Sequence, residues 1–455
     1  MSDNQNELAR SLKARHITMI ALGGAIGAGM FKGSSSSISL AGPGVVLAYL
    51  LVGLVLLTVM QGLAEMVVRN SNARTFRELI EPILGRFAGH LVGWMYWMDW
   101  VLVLAAECAT AAVFLNFWFT NIPLWLLSLI VAVAVTALNL FQVNVFGETE
   151  FWFAGIKIAV LLLFILLGGS LLFTGYGDLP APGFSHLTDA GGFFPNGFGG
   201  IVSALLIVLF SFGGIEMIGM TLGETKDAQK IIPKVARSVI FRILVFYVLP
   251  LLVIVSLVPW NQLGNQDSPF VTVFQAVGIP AVSHIMNFVM LTAVLSAANT
   301  GMYAASRMLY TQATSGQAPR YFAKLSKNQV PVRALLVSTS FLYVGVIIAF
   351  FAKGETFNYL MVIPGYSVLM VWILLLLAHL KSRGQNTDLS GYHVKWFPYT
   401  TLFALIALLA MFVGIVITTP LPGTLISLGL VALIALSYRF TKPEAQAGKG
   451  NTLAS

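Results

Sequence analysis

The chain has 455 residues, of which 57% are hydrophobic and only 10% charged, against roughly 25% charged in an average soluble domain. A water-soluble fold of this size has too few polar groups to cover its apolar surface, so the composition points to an all-α polytopic membrane protein. The net charge of +8 does not indicate nucleic acid, because the basic residues gather in alternate connections between apolar stretches.

Crossing the hydrocarbon core takes about 20 apolar residues per helix. Spans of that kind are predicted at 16–40, 44–68, 88–118, 123–143, 151–173, 200–222, 237–258, 279–306, 334–352, 357–380, 398–418 and 421–438, about twelve in all. The first is not a signal peptide, since no small-residue cleavage site closes a short apolar core and further spans follow at once. Arg10, Lys13 and Arg15 precede it. The second connection carries Arg69, Arg74, Arg77 and Arg86, and the sixth carries Lys226, Lys230, Lys234 and Arg237. The eighth and tenth connections are basic too, whereas the odd-numbered ones hold only Lys353. Positive connections face the cytoplasm, so the expectation is a multi-pass protein of the cell (inner) membrane with both termini inside. A cytoplasmic tail (1–15), a single transmembrane domain (16–440) and a second tail (441–455) follow from this.

The fourth connection, near Glu148 and Glu150, has no basic residue and reads as a short loop. The fifth, 176–200, is rich in Gly, Pro and Phe and reads as an ordered outer lid or a short surface helix. No connection approaches the roughly 50 residues of a small domain, and GxxxxGK[ST] is absent, which excludes a soluble catalytic domain and a built-in ATPase of that type. Cys108 is the only cysteine, so no internal disulfide is possible. With six scattered histidines it makes no metal-ligand cluster, and neither metal nor cofactor is expected.

Two spans are interrupted by glycine: GGAIGAG runs from Gly23 to Gly29, and SFGGIE from Ser211 to Glu216. Glycine inside a helix costs about 1 kcal/mol relative to alanine, and clustered glycines favour unwinding. Unwound backbone at membrane depth must line a polar cavity, because lipid cannot satisfy its N–H and C=O groups. Half-helix N-termini then offer N–H groups to an anion and half-helix C-termini offer carbonyls to a cation, which suits a zwitterionic amino acid. Taken singly, either glycine cluster could equally serve close helix packing. Their corresponding places in spans one and six, as an inverted five-plus-five repeat requires, favour a binding site.

Ionisable residues within spans cost about 2.5–3.5 kcal/mol each near the bilayer centre and need a wet or paired setting. Lys32 and Arg242 lie near span ends and are expected to snorkel to water. Glu65 lies close to the cytoplasmic end and is expected to be solvated. Asp99, in the aromatic run Trp94 to Trp100, reads either as a buried hydrogen-bonded carboxylate or as an interfacial one. Glu107 sits mid-span among Ala105, Ala106 and Ala109, which favours a pocket or proton role. Lys157 is a deep basic residue whose ammonium suits a cation site of backbone carbonyls. Glu216 follows the break in span six and is placed to carry a proton.

At these residues the sequence resembles the amino acid transporter branch of the amino acid–polyamine–organocation superfamily, the bacterial amino acid permeases. The likeness runs from Leu12 to Lys442. Its segments are GGAIGAGMFKGS with AGPG, GWMYWMDW, FWFAGIK at Phe151 to Lys157, GGFFPNGF at Gly191 to Phe198, FSFGGIEMIG at Phe210 to Gly219, GETKDAQKIIPK and LSAANTGMYAASRMLY. The resemblance implies two inverted five-helix repeats (about 16–173 and 200–380), two extra helices (about 398–438), and proton-coupled amino acid uptake by alternating access without sodium. Carried over by position, the substrate site comprises Ala25, Ile26, Gly27, Ala28 and Gly29 with Phe210, Ser211, Phe212 and Gly213. Backbone N–H groups near Ala25, Ala28 and Gly29 would take the substrate carboxylate. Carbonyls of Phe210, Ser211 and Gly213 would take its amino group, with Phe210 as the aromatic gate. Lys157 would fill the site of a sodium ion, and Glu216 would be the protonatable carboxylate, with Glu107 as the next candidate. Ala28 stands where many relatives have Thr or Ser, and Asp99 where Asn is expected.

The small and aromatic pocket points to neutral amino acids. The partners implied are an amino acid, protons and membrane lipid, for a monomer or a homodimer. An exchanger, or a carrier of cationic amino acids or amines, shares the architecture. A channel lacks its filter or ring of charge here, and a membrane-embedded enzyme lacks its clustered nucleophile, base or metal set.

Overall fold

The computed structural model describes residues 19, 26–70, 73, 75–141, 146–175, 180–220, 227–263, 268–276, 280–326, 330–352, 357, 360–385 and 392–441. Regular structure among them is helical throughout. The first span is described from Ile26 onward, with helices Ala28–Phe31 and Gly33–Ala41, and passes through the turn Gly42–Gly44 into the second, Val45–Arg69. The third to fifth are Arg86–Asn116, Leu124–Phe141 and Phe146–Thr174. The sixth is Gly197–Phe212 followed by a 3₁₀ segment, Ile215–Met220. The seventh, Ala228–Ile243, runs through a π turn at Leu244–Val248 into Leu249–Leu257. The remaining spans are Pro280–Thr314, Val332–Ala352, Val362–Gln385, Tyr399–Thr418 and Leu421–Ser437. Each expected span therefore holds a helix, and among the described residues ten helical stretches, Gly33–Arg69 counted as one, are long and apolar enough to cross a membrane.

The third span is the central post: it packs on the eighth along most of its length and also on the fourth, ninth and tenth. The second lies against the seventh, and Gly33–Ala41 of the first against the sixth. The fifth, eleventh and twelfth are peripheral and turn bare apolar side chains outward, among them Trp152 at 69% exposure and Ile417 at 75%. Water would not tolerate such a surface; lipid does.

The basic connections meet at one end of the bundle. Gln229 Nε2 donates to Val68 O at 2.9 Å, Arg86 Nη2 to Ser315 O at 3.4 Å, and Arg383 Nη1 to Glu65 at the end of the second span. The first, fifth and seventh connections meet at the other end. Gly44 N–H donates to Phe193 O (3.0 Å), Asn196 Nδ2 to Leu40 O (2.9 Å) and Trp260 Nε1 to Ala190 O (2.9 Å). The Gly/Pro/Phe-rich segment is thus an ordered cover seated on the turn between the first two spans, with a single 3₁₀ turn at Ser185–Leu187.

Several expectations need correction. Glu65 is not solvated: it is 1% exposed and accepts from Arg383 Nη1 at 2.9 Å, Val394 N–H at 2.7 Å and Arg69 Nη2 at 2.9 Å, with His379 Nε2 at 3.2 Å. Four basic or N–H groups converge there because the second span, the tenth span and segment 392–398 all end at that point. Lys32 and Arg242 are folded into the protein, not extended from it. The fourth connection is shorter than expected: helix resumes at Phe146, so Glu150 is a buried residue of the fifth span. The second connection holds an amphipathic helix, Phe76–Leu84, which buries Phe76, Leu79 and Ile80 and is capped by Thr75 accepting from Glu78 N–H at 3.4 Å.

Candidate functional site

The sixth-span glycine cluster interrupts its helix, and in the first span the described end of the cluster is non-helical at Gly27. In the sixth span Gly213 leaves the helix with φ −54° and ψ 136°, and Gly214 takes φ 101°, a conformation that a Cβ opposes. Gly214 N–H donates to Glu216 Oε1 at 3.1 Å, so the carboxylate caps the break from two residues on. In the first span Gly27 lies outside helical geometry (φ −138°, ψ −149°) and precedes the short helix Ala28–Phe31. Ala25 lies outside the described residues.

The two breaks touch. A Cβ on Gly29 would stand 2.5 Å from Ser211 Cα, so only glycine lets the first span approach the sixth this closely. Ser211 Oγ lies 2.8 Å from both Gly29 O and Ile207 O and shares its single hydrogen between them. Tyr49 OH of the second span donates to Ser211 Oγ at 3.0 Å, and Tyr247 OH of the seventh donates to Ser211 O at 3.2 Å. Four spans are therefore keyed to one serine.

Beside this contact lies a small cavity of about 20 Å³, room for one water and less than an amino acid needs. The breaks contribute Gly27, Gly29, Phe210, Ser211 and Gly213 to its wall. The third span contributes Asp99, Val103 and Glu107, spaced four residues apart on one helix face, together with Trp100. Phe210 packs edge-on against Phe357, with ring centroids 5.5 Å apart. Ile26, Ala28 and Phe212 do not line the wall. Phe212 turns instead to Tyr49 and Tyr247.

The N–H expected to await a substrate carboxylate is engaged by the protein itself. Ala28 N–H donates to Glu107, with both oxygens at 3.0 Å. Two of the carbonyls assigned to the amino group also accept already, Phe210 O from Gly213 N–H at 3.1 Å and Ser211 O from Tyr247. A carbonyl has two lone pairs, so each keeps capacity for a second donor.

Lys157 and Glu216 are buried but do not line the cavity. Lys157 Nζ lies 3.9 Å from Glu150 Oε1, and Ser296 Oγ of the eighth span lies 2.8 and 2.7 Å from the two Glu150 oxygens. Lys157 is also an electrostatic neighbour of Glu107, which links it to the first span through Ala28. Glu150 is the functional candidate that sequence reading missed. The signal was present: Glu150 and Lys157 are seven residues apart, two helical turns on one face, with no helix breaker except Gly155 between them.

Residues 16–442 match the amino acid permease family. Over 438 residues the chain is 53% identical to YvbW of Bacillus subtilis (strain 168), an uncharacterized amino acid permease, covering 96% of this chain and 98% of that one. It is 39% identical over 444 residues to the gamma-aminobutyric acid permease of the same strain, covering 96% and 94%. With the aromatic amino acid transport protein AroP of Escherichia coli (strain K12) it shares 40% identity over 452 residues, 98% of each chain.

Proposed function

The chain belongs to the amino acid permease family, and from that premise we propose that it is a sodium-independent secondary transporter that couples proton entry to uptake of neutral amino acids by alternating access. The observation that carries this reading is the meeting of the two helix breaks at one small cavity, across Gly29 and Ser211. Broken helices facing each other at membrane depth are how a bundle without water offers backbone donors and acceptors to a zwitterion.

Glu107 gives the coupling a physical form. Its carboxylate occupies Ala28 N–H, where a substrate carboxylate is expected, and two anions cannot share that donor. Entry of substrate requires Glu107 to take a proton or to swing aside, toward its cationic neighbour Lys157. Lys157 supplies the fixed charge that a sodium ion would otherwise bring. Glu216 is placed to carry a proton at the break itself. The cavity is smaller than the substrate, in keeping with an occluded conformation that widens as the first and sixth spans part. Both termini lie in the cytoplasm in this reading, supported by the clustering of all the basic connections at one end. Residues 16–173 and 200–380 form the two inverted repeats.

The test is uptake of radiolabelled amino acids by proteoliposomes with and without an imposed inward proton gradient, in sodium-free buffer. Accumulation above equilibrium only with the gradient is expected. A requirement for sodium would remove Lys157 from its role, and indifference to both ions would replace uptake by exchange.

A further inference from the structure

Two acids of the third span, Asp99 and Glu107, face the cavity, and no Lys or Arg lines it. Glu107 is committed to Ala28 N–H. Asp99 differs. It is 2% exposed, and its Oδ1 has no hydrogen-bond partner among the described residues. Its electrostatic neighbour is a further acid, Glu216. A buried carboxylate at membrane depth is costly unless something cationic or a donor meets it, and the described residues supply neither at Oδ1. The missing partner is one that arrives through the cavity.

We infer that Asp99 is the anionic anchor for a primary ammonium group of the transported molecule, a role that rests on the amino acid transport reading above. An ammonium brings one positive charge and three N–H donors. The charge offsets that of Asp99, and the remaining donors suit the second lone pairs of carbonyls at the break in the sixth span. The arrangement gives the cavity polarity. Glu107, bonded to Ala28 N–H just behind the wall, marks its anion-binding end; Asp99, eight residues earlier in the third span, marks its cation-binding end. Along the helix axis eight residues rise about 12 Å, so which ammonium reaches Asp99 depends on how the side chains of the third span close that distance. An α-ammonium and a distal ammonium, as in lysine or γ-aminobutyrate, share this chemistry, and the experiment separates them.

Wild type, Asp99→Asn and Asp99→Glu are reconstituted at equal folded amounts, checked by thermal unfolding. Uptake of L-leucine, L-phenylalanine, L-lysine and γ-aminobutyrate is measured, with 3-phenylpropionate, which lacks the amine, as a competitor. The amide is expected to raise KM at least tenfold for the accepted probes and to narrow the preference for phenylalanine over 3-phenylpropionate in competition. The glutamate variant keeps part of that preference. A KM rise for leucine, phenylalanine and lysine that spares γ-aminobutyrate identifies the α-ammonium, and a rise confined to lysine and γ-aminobutyrate identifies the distal one. Should the amide variant fail to fold, Asp99→Ser gives the same reading with a smaller side chain. An unchanged KM and an undiminished preference in the amide variant, with wild-type uptake intact, overturn the role of Asp99 alone. Absence of uptake of all four probes by wild type overturns the transport reading with it.

Discussion

At 3.9 Å the attraction between Lys157 and Glu150 is about 4 kcal/mol at the effective dielectric of a protein site, while each ion forfeits several kcal/mol of hydration. The pair therefore gains little stability overall, yet breaking it is expensive, because the ion left behind stays buried. Lys157→Ala is expected to lower stability by about 3–5 kcal/mol and to abolish uptake. The double variant Lys157→Met/Glu150→Gln regains most of the stability without regaining uptake. Thermal unfolding and uptake in the same preparations separate the two effects; recovery of transport by the double variant would make the pair structural. Glu65 behaves differently, as the meeting point of Arg69, His379, Arg383 and Val394 N–H, well away from the cavity. Glu65→Ala should cost about 3–5 kcal/mol of stability and leave uptake per folded molecule near wild type, a contrast read by the same two assays. The burial of Glu65 was not legible at this scale from the sequence, because Arg383 and Val394 come from elsewhere in the chain; for Glu150 the spacing to Lys157 was legible, but the bond from Ser296 of the eighth span was not.

The glycine break of the sixth span was legible, because its cluster corresponds in place to that of the first span as an inverted repeat requires. Their contact was not, since Gly29 and Ser211 meet only in three dimensions. That contact makes Gly29 both a packing residue and a site residue. Gly29→Ala places a Cβ 2.5 Å from Ser211 Cα, and the first span must withdraw. Substrate affinity is expected to fall at least tenfold, measured by ligand-induced thermal stabilisation. Gly214, at φ 101°, makes a second test. Gly214→Ala carries about 1–3 kcal/mol of backbone strain and should impair uptake more than it impairs folding. The helix Phe76–Leu84 was not predicted, although Thr75 and Glu78 have the spacing of a capping box and Thr75 accepts from Glu78 N–H. It lies between two long spans, where hydropathy dominates the eye.

Across the whole molecule, length and apolar content made the twelve spans legible, and the alternation of Lys and Arg foretold which connections share an end. What hydropathy could not convey is which spans form the core. The third and eighth do so, although both are less apolar than the eleventh, which stays at the rim with the twelfth. We propose that this bundle converts a proton gradient into amino acid accumulation, and Glu216 offers the sharpest test. Its Oε1 caps Gly214 N–H at 3.1 Å, a bond that a glutamine oxygen can still accept, whereas a glutamine cannot take up and release a proton. In Glu216→Gln, uptake driven by a pH gradient should fall at least tenfold while counterflow of internal for external amino acid persists in the same proteoliposomes. Equal loss of both, or full gradient-driven accumulation by the glutamine variant, would contradict the account.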